Sequence, residues 1–284
     1  MNLTDIFAPV EQELIQVKKL LNIQVGEILD RHIPGSNQIQ FFNDLLNRIL
    51  SNPGKMLRPV LTLLSAKAIC PEMNKDVEDT VIRIAAAVEL IHAASLVHDD
   101  IIDDAEERRG KPSLNKVFNN KIAVLAGDIL YAQFFSIITK LPVKDDSLKL
   151  RILNIFCEVS QQMCLGEINQ HRILKSNDES GKDEYLDILK NKTAVLMSAC
   201  CRSGAIAAGA TVEMEQTMSD FGLKFGLAFQ LADDLKDGDA VYENNKDIKK
   251  LGIEQSEQAK EIAASLENEQ IRSSFLSLCN FLRF

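Results

Sequence analysis

The sequence lacks the cysteine and histidine patterns of a zinc site and of a disulfide framework. Its six cysteines include no CxxC pair, and its four histidines are scattered along the chain. A structural zinc site needs closely spaced Cys or His ligands, and a disulfide framework needs a regular set of cysteines. Both are therefore excluded as the basis of the fold, and the composition fits a reducing cytosol.

A secretory signal and a convincing membrane span are also missing. Residues 1–16 carry acidic side chains where a signal peptide carries basic ones, and they contain no continuous apolar stretch. The most apolar region, residues 193–210, is rich in small residues and is interrupted by Arg202, whereas a membrane span needs about 20 predominantly apolar residues. We expect a cytoplasmic protein without stable membrane insertion.

Positive charge is too scarce for a nucleic-acid-binding protein. The 284 residues include 32 Lys and Arg against 41 Asp and Glu, which gives a formal net charge of -9. Phosphate backbones are held mainly by clustered Lys and Arg, so no nucleic-acid partner is expected. A phosphorylated small molecule would be bound through local basic groups, backbone N–H groups or metal ions.

The patterns of β-strands are absent as well. No run of four to eight β-branched residues is bounded by turn signals, and nearly every segment has helical periodicity. The breaks between these segments are short and resemble their neighbours in composition, unlike interdomain linkers. The sequence therefore predicts an all-α helical bundle that forms a single domain over residues 1–284.

What the sequence does contain is two junctions where an apolar helix runs into aspartates. Residues 84–97 are apolar almost all round, as in a central helix of a bundle, and the next seven residues read HDDIIDD. Residues 225–237 (FGLAFQLADDLKD) repeat the pattern. The two clusters consist of Asp99, Asp100 and Asp103, and of Asp233, Asp234 and Asp237.

The spacing of each cluster suits a divalent cation. On a helix, Asp99 and Asp103 lie within about 40° of each other, with Asp100 about 60° away, and the second cluster has the same spacing. Carboxylates this close must raise their pKa values or recruit a cation. Mg²⁺, completed by water and substrate phosphates, fits short helical clusters better than a calcium cage, and EF-hand spacing is absent.

One such cluster alone could equally be a solvated helix end. Two copies, each preceded by a polar residue on the aspartate face, favour a metal site. These companions are His92, seven residues before Asp99, and Gln230, three residues before Asp233.

At this point the sequence resembles the trans-isoprenyl diphosphate synthase family. Seven ordered segments carry the resemblance: residues 54–59 (GKMLRP), 91–104 (IHAASLVHDDIIDD), 108–112 (RRGKP), 125–128 (LAGD), 166–170 (GEINQ), 191–196 (NKTAVL) and 229–237 (FQLADDLKD). The resemblance implies a bundle with a deep central cavity, the two clusters facing each other at its mouth, and a homodimer. It also implies Mg²⁺ as the cofactor and a reaction between isopentenyl diphosphate and an allylic diphosphate.

The resemblance assigns roles position by position. Mg²⁺ would be held by Asp99, Asp100, Asp103 and Asp233, with weaker contributions from Asp234 and Asp237. Isopentenyl diphosphate would be bound by Lys55, Arg58, His92 and Arg109, and the allylic diphosphate by Arg108, Lys192, Thr193 and Gln230. Metal and basic groups would stabilise the departing diphosphate, and isopentenyl diphosphate would attack the allylic cation. The released diphosphate would accept the proton lost at the end.

Two side chains before the first cluster bear on product length. The resemblance implies that bulk at positions 94 and 95 stops elongation, and both Ala94 and Ser95 are small. We therefore expect a medium- to long-chain product, made from a primer such as farnesyl or geranylgeranyl diphosphate. Phe134 and Phe135 could form a deeper cavity floor, or could be ordinary core aromatics.

The segment after Asp237 departs from the family pattern, which commonly continues with a glycine- and lysine-bearing GKDLxxGK segment. Three lysines here could cover an anion in its place: Lys246, Lys249 and Lys250. The alternatives are a shorter-chain geranylgeranyl diphosphate synthase, a non-catalytic partner subunit, and a helical terpenoid cyclase, against which GKMLRP and the RRG loop argue. A calcium-binding structural protein is the least favoured.

Overall fold

Helices account for nearly all the regular structure of the chain. The computed structural model describes residues 3–32, 36–50, 54–176, 181–238, 242 and 244–284. The helices are α1 (Leu3–Phe7), α2 (Glu11–His32), α3 (Ser36–Leu50), α4 (Leu57–Ile69), α5 (Lys75–Ile102), α6 (Leu114–Phe118), α7 (Asn120–Thr139), α8 (Asp146–Ser176), α9 (Lys182–Leu189), α10 (Val195–Ala207), α11 (Val212–Asp237), α12 (Asn245–Ala264) and α13 (Glu269–Phe281). A 3₁₀ turn (Ala8–Val10), a π-helical turn (Lys190–Ala194) and two strands, β1 (Glu107–Arg108) and β2 (Lys111–Pro112), complete the list. The predicted all-α class is confirmed.

The chain forms two compact units. One consists of Met1–Glu11, Val60–Val81 and Val143–Phe284, and the other of Gln12–Pro59 and Ile82–Pro142. We call them the C-terminal unit and the N-terminal unit. The prediction of one domain over residues 1–284, with a central cavity, stays a prediction.

In the N-terminal unit, the apolar character of α5 reflects burial. Ile84, Ala87, Val88 and Ile91 are all buried, as predicted for a central helix. A separate cluster packs Val97 of this helix with Leu45, Leu114, Ala123 and Ala126. This cluster anchors the end of α5, where the first aspartates lie.

In the C-terminal unit, small residues allow helices to approach closely. A side chain added at Gly226 of α11 would meet Ala194 Cα at 2.7 Å, and one added at Gly166 of α8 would meet the Lys192 backbone N at 3.0 Å. The π-helical turn is therefore confined between two glycines. A buried hydrophobic cluster lies beside this turn and includes Tyr185, Leu231 and Ile248.

Candidate active site

The first aspartate cluster lies at the C-terminal end of α5. The Asp103 N–H donates to the Asp99 carbonyl at 2.8 Å, so these two residues remain one helical turn apart, as predicted. The helix is then terminated by Asp104, whose φ is +50°. The Ala105 N–H donates to the Asp100 carbonyl at 2.9 Å, which closes a Schellman-type cap.

The three carboxylates have different environments. Asp103 is exposed, Asp99 is half-buried, and Asp100 is only 3% exposed. Asp100 accepts a hydrogen bond from Arg108 Nε at 2.7 Å and a second, very short one from Arg108 Nη2. A residue predicted to hold metal and one predicted to bind the allylic diphosphate are thus paired directly.

Arg108 and Arg109 lie on a two-residue β-hairpin that the sequence did not predict. β1 and β2 pair antiparallel with Arg108 opposite Lys111. The turn between them consists of Arg109 (φ +54°) and Gly110 (φ +73°), the positive angles of a type I′ turn. Positive φ is unfavourable for arginine and is typical of functional sites.

The hairpin brings Arg109 to the GKMLRP segment. A side chain added at Gly54 would lie 2.5 Å from Arg109 Nη2, so the guanidinium group packs directly against this glycine. Gly54 and Met56 both have positive φ, +64° and +55°. The two segments therefore converge, which agrees with a shared role for Lys55, Arg58 and Arg109.

Arg58 and His92 form the second link of this group. The helix α4 begins at Leu57, which places Arg58 in its first turn, and Arg58 Nη1 donates to His92 Nε2 at 2.9 Å. The His92 pKa is well below its usual value because the ring is buried and lies near Arg58, Arg109 and Arg108. The ring is therefore neutral, and its Nδ1 carries the proton because arginine cannot accept one.

His92, Arg108 and Arg109 line a cavity of about 90 Å³ in the N-terminal unit. Its lining includes eight charged or polar residues: Arg48, Glu89, His92, Asp100, Arg108, Arg109, Lys111 and Ser113. Glu89 was seen in the sequence only as an interruption of an apolar helix. Burial raises its pKa to about 7 although Arg58 and Arg109 oppose the increase.

The second aspartate cluster lies at the end of α11. Asp233 and Asp237 are exposed, while Asp234 is 7% exposed. Both Asp234 carboxylate oxygens accept hydrogen bonds, Oδ2 from the Tyr185 hydroxyl at 2.5 Å and Oδ1 from Gln230 Nε2 at 2.8 Å. The carboxylate is therefore hydrogen-bonded within the protein through both oxygens, and its weaker metal role stays a prediction.

The π-helical turn joins this network to the predicted allylic diphosphate residues. The Thr193 hydroxyl donates to Gln230 Oε1 at 2.8 Å, so Thr193, Gln230, Asp234 and Tyr185 form one chain of hydrogen bonds. A π-turn widens the helix and often marks a functional site. All four residues lie in the C-terminal unit.

Lys192, in the same turn, is held from α8. Its Nζ lies 2.8 Å from Glu167 Oε2 and donates to Gln170 Oε1 at 3.2 Å. Glu167 and Gln170 belong to the GEINQ segment, but no role was predicted for them. Their three-residue spacing places them on one helix face, which was the available signal.

The residues proposed to control product length lie on two helices of the N-terminal unit. Ala94 is fully buried, while Ser95 is half-buried and donates to the His92 carbonyl at 2.9 Å. Phe134 is fully buried and Phe135 is 37% exposed, with their rings edge to face at 5.2 Å. Whether they form a cavity floor stays a prediction.

The lysines after the second cluster begin a separate helix. Lys246, Lys249 and Lys250 are exposed on α12. Most of the connecting segment, residues 239–241 and 243, lies outside the described residues. The proposed covering of an anion by one of these lysines stays a prediction.

The donor chemistry of both clusters fits a hard divalent cation. Each cluster presents two carboxylates one helical turn apart, Asp99 with Asp103 and Asp233 with Asp237, and all the donor atoms are oxygen. Mg²⁺ and Ca²⁺ both prefer oxygen donors, and Mg²⁺ needs only one or two carboxylates when phosphates complete its coordination. The Asp237 contact with Lys236 at 2.7 Å is exposed to solvent and opposes this weakly.

Comparisons with known proteins agree with this chemistry. Residues 39–260 match the family model described as "Polyprenyl synthetase". The chain is 36% identical over 206 residues to an octaprenyl diphosphate synthase from Escherichia coli, which covers 72% of this chain and 60% of that protein. It is 32% identical over 219 residues to a geranylgeranyl pyrophosphate synthase from Geoglobus acetivorans. This match covers 77% of this chain and 65% of that protein.

The chain thus spans less than two thirds of the length of these two relatives. Its fold is similar to a crystal structure of a decaprenyl diphosphate synthase from Rhodobacter capsulatus, with a TM-score of 0.81. That similarity covers 100% of both chains at 24% identity, so it supports the fold alone.

Proposed function

The chain belongs to the polyprenyl synthetase family, and we propose that it joins an allylic diphosphate to isopentenyl diphosphate in a magnesium-dependent elongation. The observation that carries the proposal is the cavity lined by His92, Arg108 and Arg109, with Arg58 hydrogen-bonded to His92. Guanidinium groups with a neutral imidazole donor form a site for a diphosphate rather than for a cation.

Each group in this site has a specific part. Arg58 and Arg109 would neutralise the diphosphate of isopentenyl diphosphate, and Lys55 would add a mobile charge. The neutral His92 would donate from Nδ1, an atom that is buried and has no hydrogen-bond partner in the described part of the chain. A buried donor without a partner is costly, so a bound anion would recover that energy.

The allylic diphosphate would be held by groups from both aspartate regions. Mg²⁺, when bound to Asp99, Asp103 and Asp233, would stabilise charge on the leaving diphosphate. Arg108, Lys192 and Thr193 would donate to the same diphosphate, and Glu167 would hold the Lys192 ammonium in position. Gln230 and Asp234 would support the site through the hydrogen-bond chain to Tyr185.

The remaining steps require no protein nucleophile. The apolar walls of α5 would exclude water from the allylic cation, and the π electrons of isopentenyl diphosphate would form the new carbon–carbon bond. Loss of a proton to the released diphosphate would then give the elongated trans product. Small Ala94 and Ser95 favour a medium- or long-chain product, and geranylgeranyl diphosphate is the alternative.

The direct test is incubation of the purified protein with labelled isopentenyl diphosphate and geranyl, farnesyl or geranylgeranyl diphosphate. We expect incorporation with Mg²⁺, none after chelation, and products longer than farnesyl. Ca²⁺ serves as the matched metal control because it also binds oxygen ligands, but with about 6–8 of them in a flexible geometry instead of the octahedron that Mg²⁺ requires. No incorporation by folded protein with any primer would instead favour a non-catalytic partner subunit.

We also propose that the protein acts in the cytoplasm as a homodimer. Lys75–Ile102 and Asn120–Thr139 are both long and apolar enough to cross a membrane, but 72% of the most apolar stretch of the former is buried inside the protein. The latter is 44% buried, and its helix exposes Val124, Leu125 and Phe135. An exposed apolar helix face of this kind fits a second copy of the chain.

Light scattering after size exclusion tests the dimer. Leu125→Asp should convert a dimer to a monomer because it places a charge on this face. Val212→Asp is the matched control, since Val212 is an exposed apolar residue on α11. A monomeric wild-type protein would contradict the proposal.

A further inference from the structure

Glu89 is a buried acid that the proposed mechanism does not use. It lies on α5 three residues before His92, hence on nearly the same helix face, and is 4% exposed. It lines the cavity with His92 and Arg109, and its Oε2 atom has no hydrogen-bond partner within the described residues. A buried carboxylate oxygen without a hydrogen bond is costly and requires an explanation.

We propose that Glu89 couples anion binding in this cavity to the uptake of a proton, so that isopentenyl diphosphate binds to the form with a neutral Glu89. The inference rests on the proposed function, because the anion that it concerns is the isopentenyl diphosphate assigned to this cavity. Glu89 would act as a tuning residue, and the reacting carbon atoms would not touch it.

The charges around Glu89 make this coupling possible. Arg58 from α4 and Arg109 from the hairpin lower its pKa, burial raises it, and the balance lies at about 7. The other charged groups lining the cavity are Arg48, Asp100, Arg108 and Lys111. Near neutral pH, Glu89 is therefore about half ionised in the free protein.

An anion entering the cavity changes this balance. A diphosphate repels the Glu89 carboxylate and also engages the two arginines that favour its charged form. Both effects favour protonation, and the neutral acid can then donate a hydrogen bond to a phosphate oxygen. His92 does not contribute, because its pKa is already well below the usual value and the ring stays neutral.

Asp100 does not explain the coupling either. It lies eleven residues after Glu89, about 16 Å further along the helix axis, and Arg108 neutralises it. Glu89 is therefore distinct from the carboxylates assigned to Mg²⁺, although one end of the cavity reaches Asp100.

The substitution Glu89→Gln tests the proposal, because glutamine mimics the neutral acid. If Glu89 must be protonated for binding, the wild-type affinity falls with pH above 7, whereas the variant lacks this loss. We expect E89Q to bind inorganic diphosphate about 10-fold tighter than the wild type at pH 8, and equally at pH 6. Titration calorimetry at pH 7 in buffers of different ionisation enthalpy should show about half a proton less uptake for E89Q.

The matched control is Glu158→Gln, an exposed acid on α8. It removes the same charge and should leave both readouts at the wild-type value. Ionisation of the diphosphate itself cancels in these comparisons, because every protein receives the same ligand. Thermal unfolding of each variant establishes that it is folded.

The outcomes separate this inference from the proposed function. Equal proton uptake by E89Q and the wild type, or weaker binding by E89Q at every pH, would overturn the coupling, since Glu89 would then act as a permanent anion that orients the arginines. If the same wild-type preparation incorporates labelled isopentenyl diphosphate, the proposed function survives that result. No incorporation with any primer would overturn the function instead.

Discussion

Arg108 donates from Nε to Asp100 Oδ1 at 2.7 Å and thereby joins the hairpin to the end of α5. Asp100 is 3% exposed, so removal of Arg108 would leave a buried carboxylate without its partner. The pairing also orients the turn that carries Arg109, whose guanidinium group packs against Gly54. One ion pair therefore connects the first aspartate cluster to the arginine-lined cavity.

Arg108→Gln should both destabilise the protein and reduce turnover. The variant leaves a buried carboxylate without its cation, and we expect a loss of about 1–3 kcal/mol in the free energy of unfolding because Arg108 itself is partly exposed. Chemical denaturation gives this value. Asp100→Asn combined with Arg108→Gln should recover most of the stability but not the turnover.

This comparison separates structure from catalysis. If the double variant regained wild-type turnover, both residues would have only a structural role. If Arg108→Gln alone had wild-type stability, the buried ion pair would not support the hairpin.

The sequence predicted the helix ends well because apolar periodicity and charge are local properties. Residues 84–97 form part of a buried helix, and the aspartates follow at its end. That the GKMLRP segment and the RRG loop serve one substrate was predicted from the family resemblance alone. No local pattern shows that segments 34 residues apart in the chain, as Arg58 and His92 are, form a hydrogen bond.

The missed residues show the same limit. Tyr185 donates to Asp234 across a separation of 49 residues, and as a single tyrosine in a short amphipathic helix it resembles any core aromatic. Glu89 interrupts an apolar helix and could have been singled out on that ground. Its raised pKa, however, depends on burial and on two arginines from other elements.

Tyr185→Phe should weaken the second aspartate cluster. The substitution removes one hydroxyl, leaves the Asp234 Oδ2 atom without its donor, and should lower the free energy of unfolding by about 1–3 kcal/mol. Because Asp234 is adjacent to Asp233, we also expect a higher Mg²⁺ concentration for half-maximal activity. Calorimetric titration of Mg²⁺ in the presence of inorganic diphosphate provides an independent readout.

Tyr242→Phe is the matched control for this substitution. Tyr242 stacks on Tyr185 with ring centroids 5.7 Å apart, but its hydroxyl donates to Asp247. This variant should leave the Mg²⁺ dependence unchanged. Equal Mg²⁺ dependence of Tyr185→Phe and the wild type would show that the hydroxyl stabilises the fold without positioning the cluster.

Glu89→Gln should stabilise the folded protein in a pH-dependent manner. The Glu89 pKa is raised from 4.5 to about 7 on folding, so the native state binds more protons than the unfolded state between these values. Stability therefore falls as pH rises through this window, by about 3 kcal/mol in total. Because glutamine does not titrate, the variant should exceed the wild type in unfolding midpoint at pH 8, and the difference should shrink toward pH 5.

Glu158→Gln again serves as the control, with no comparable change expected for an exposed acid. A stability difference between Glu89→Gln and the wild type that is constant from pH 5 to 8 would contradict the raised pKa.

Ser95→Phe should shorten the main product. Ser95 is half-buried, so a larger ring can be accommodated there with less strain than at Ala94, which is fully buried. Ala94→Phe should shorten the product too, but with an overpacking cost of about 1–3 kcal/mol that reduces stability. Chromatographic sizing of the labelled products gives the chain-length distribution. The same distribution from Ser95→Phe and the wild type would contradict the assignment of this position.

Phe134→Ala, a cavity-forming substitution in the core, serves as a comparison. It lengthens the product only if Phe134 forms the cavity floor, and otherwise lowers stability by about 3–5 kcal/mol without changing chain length.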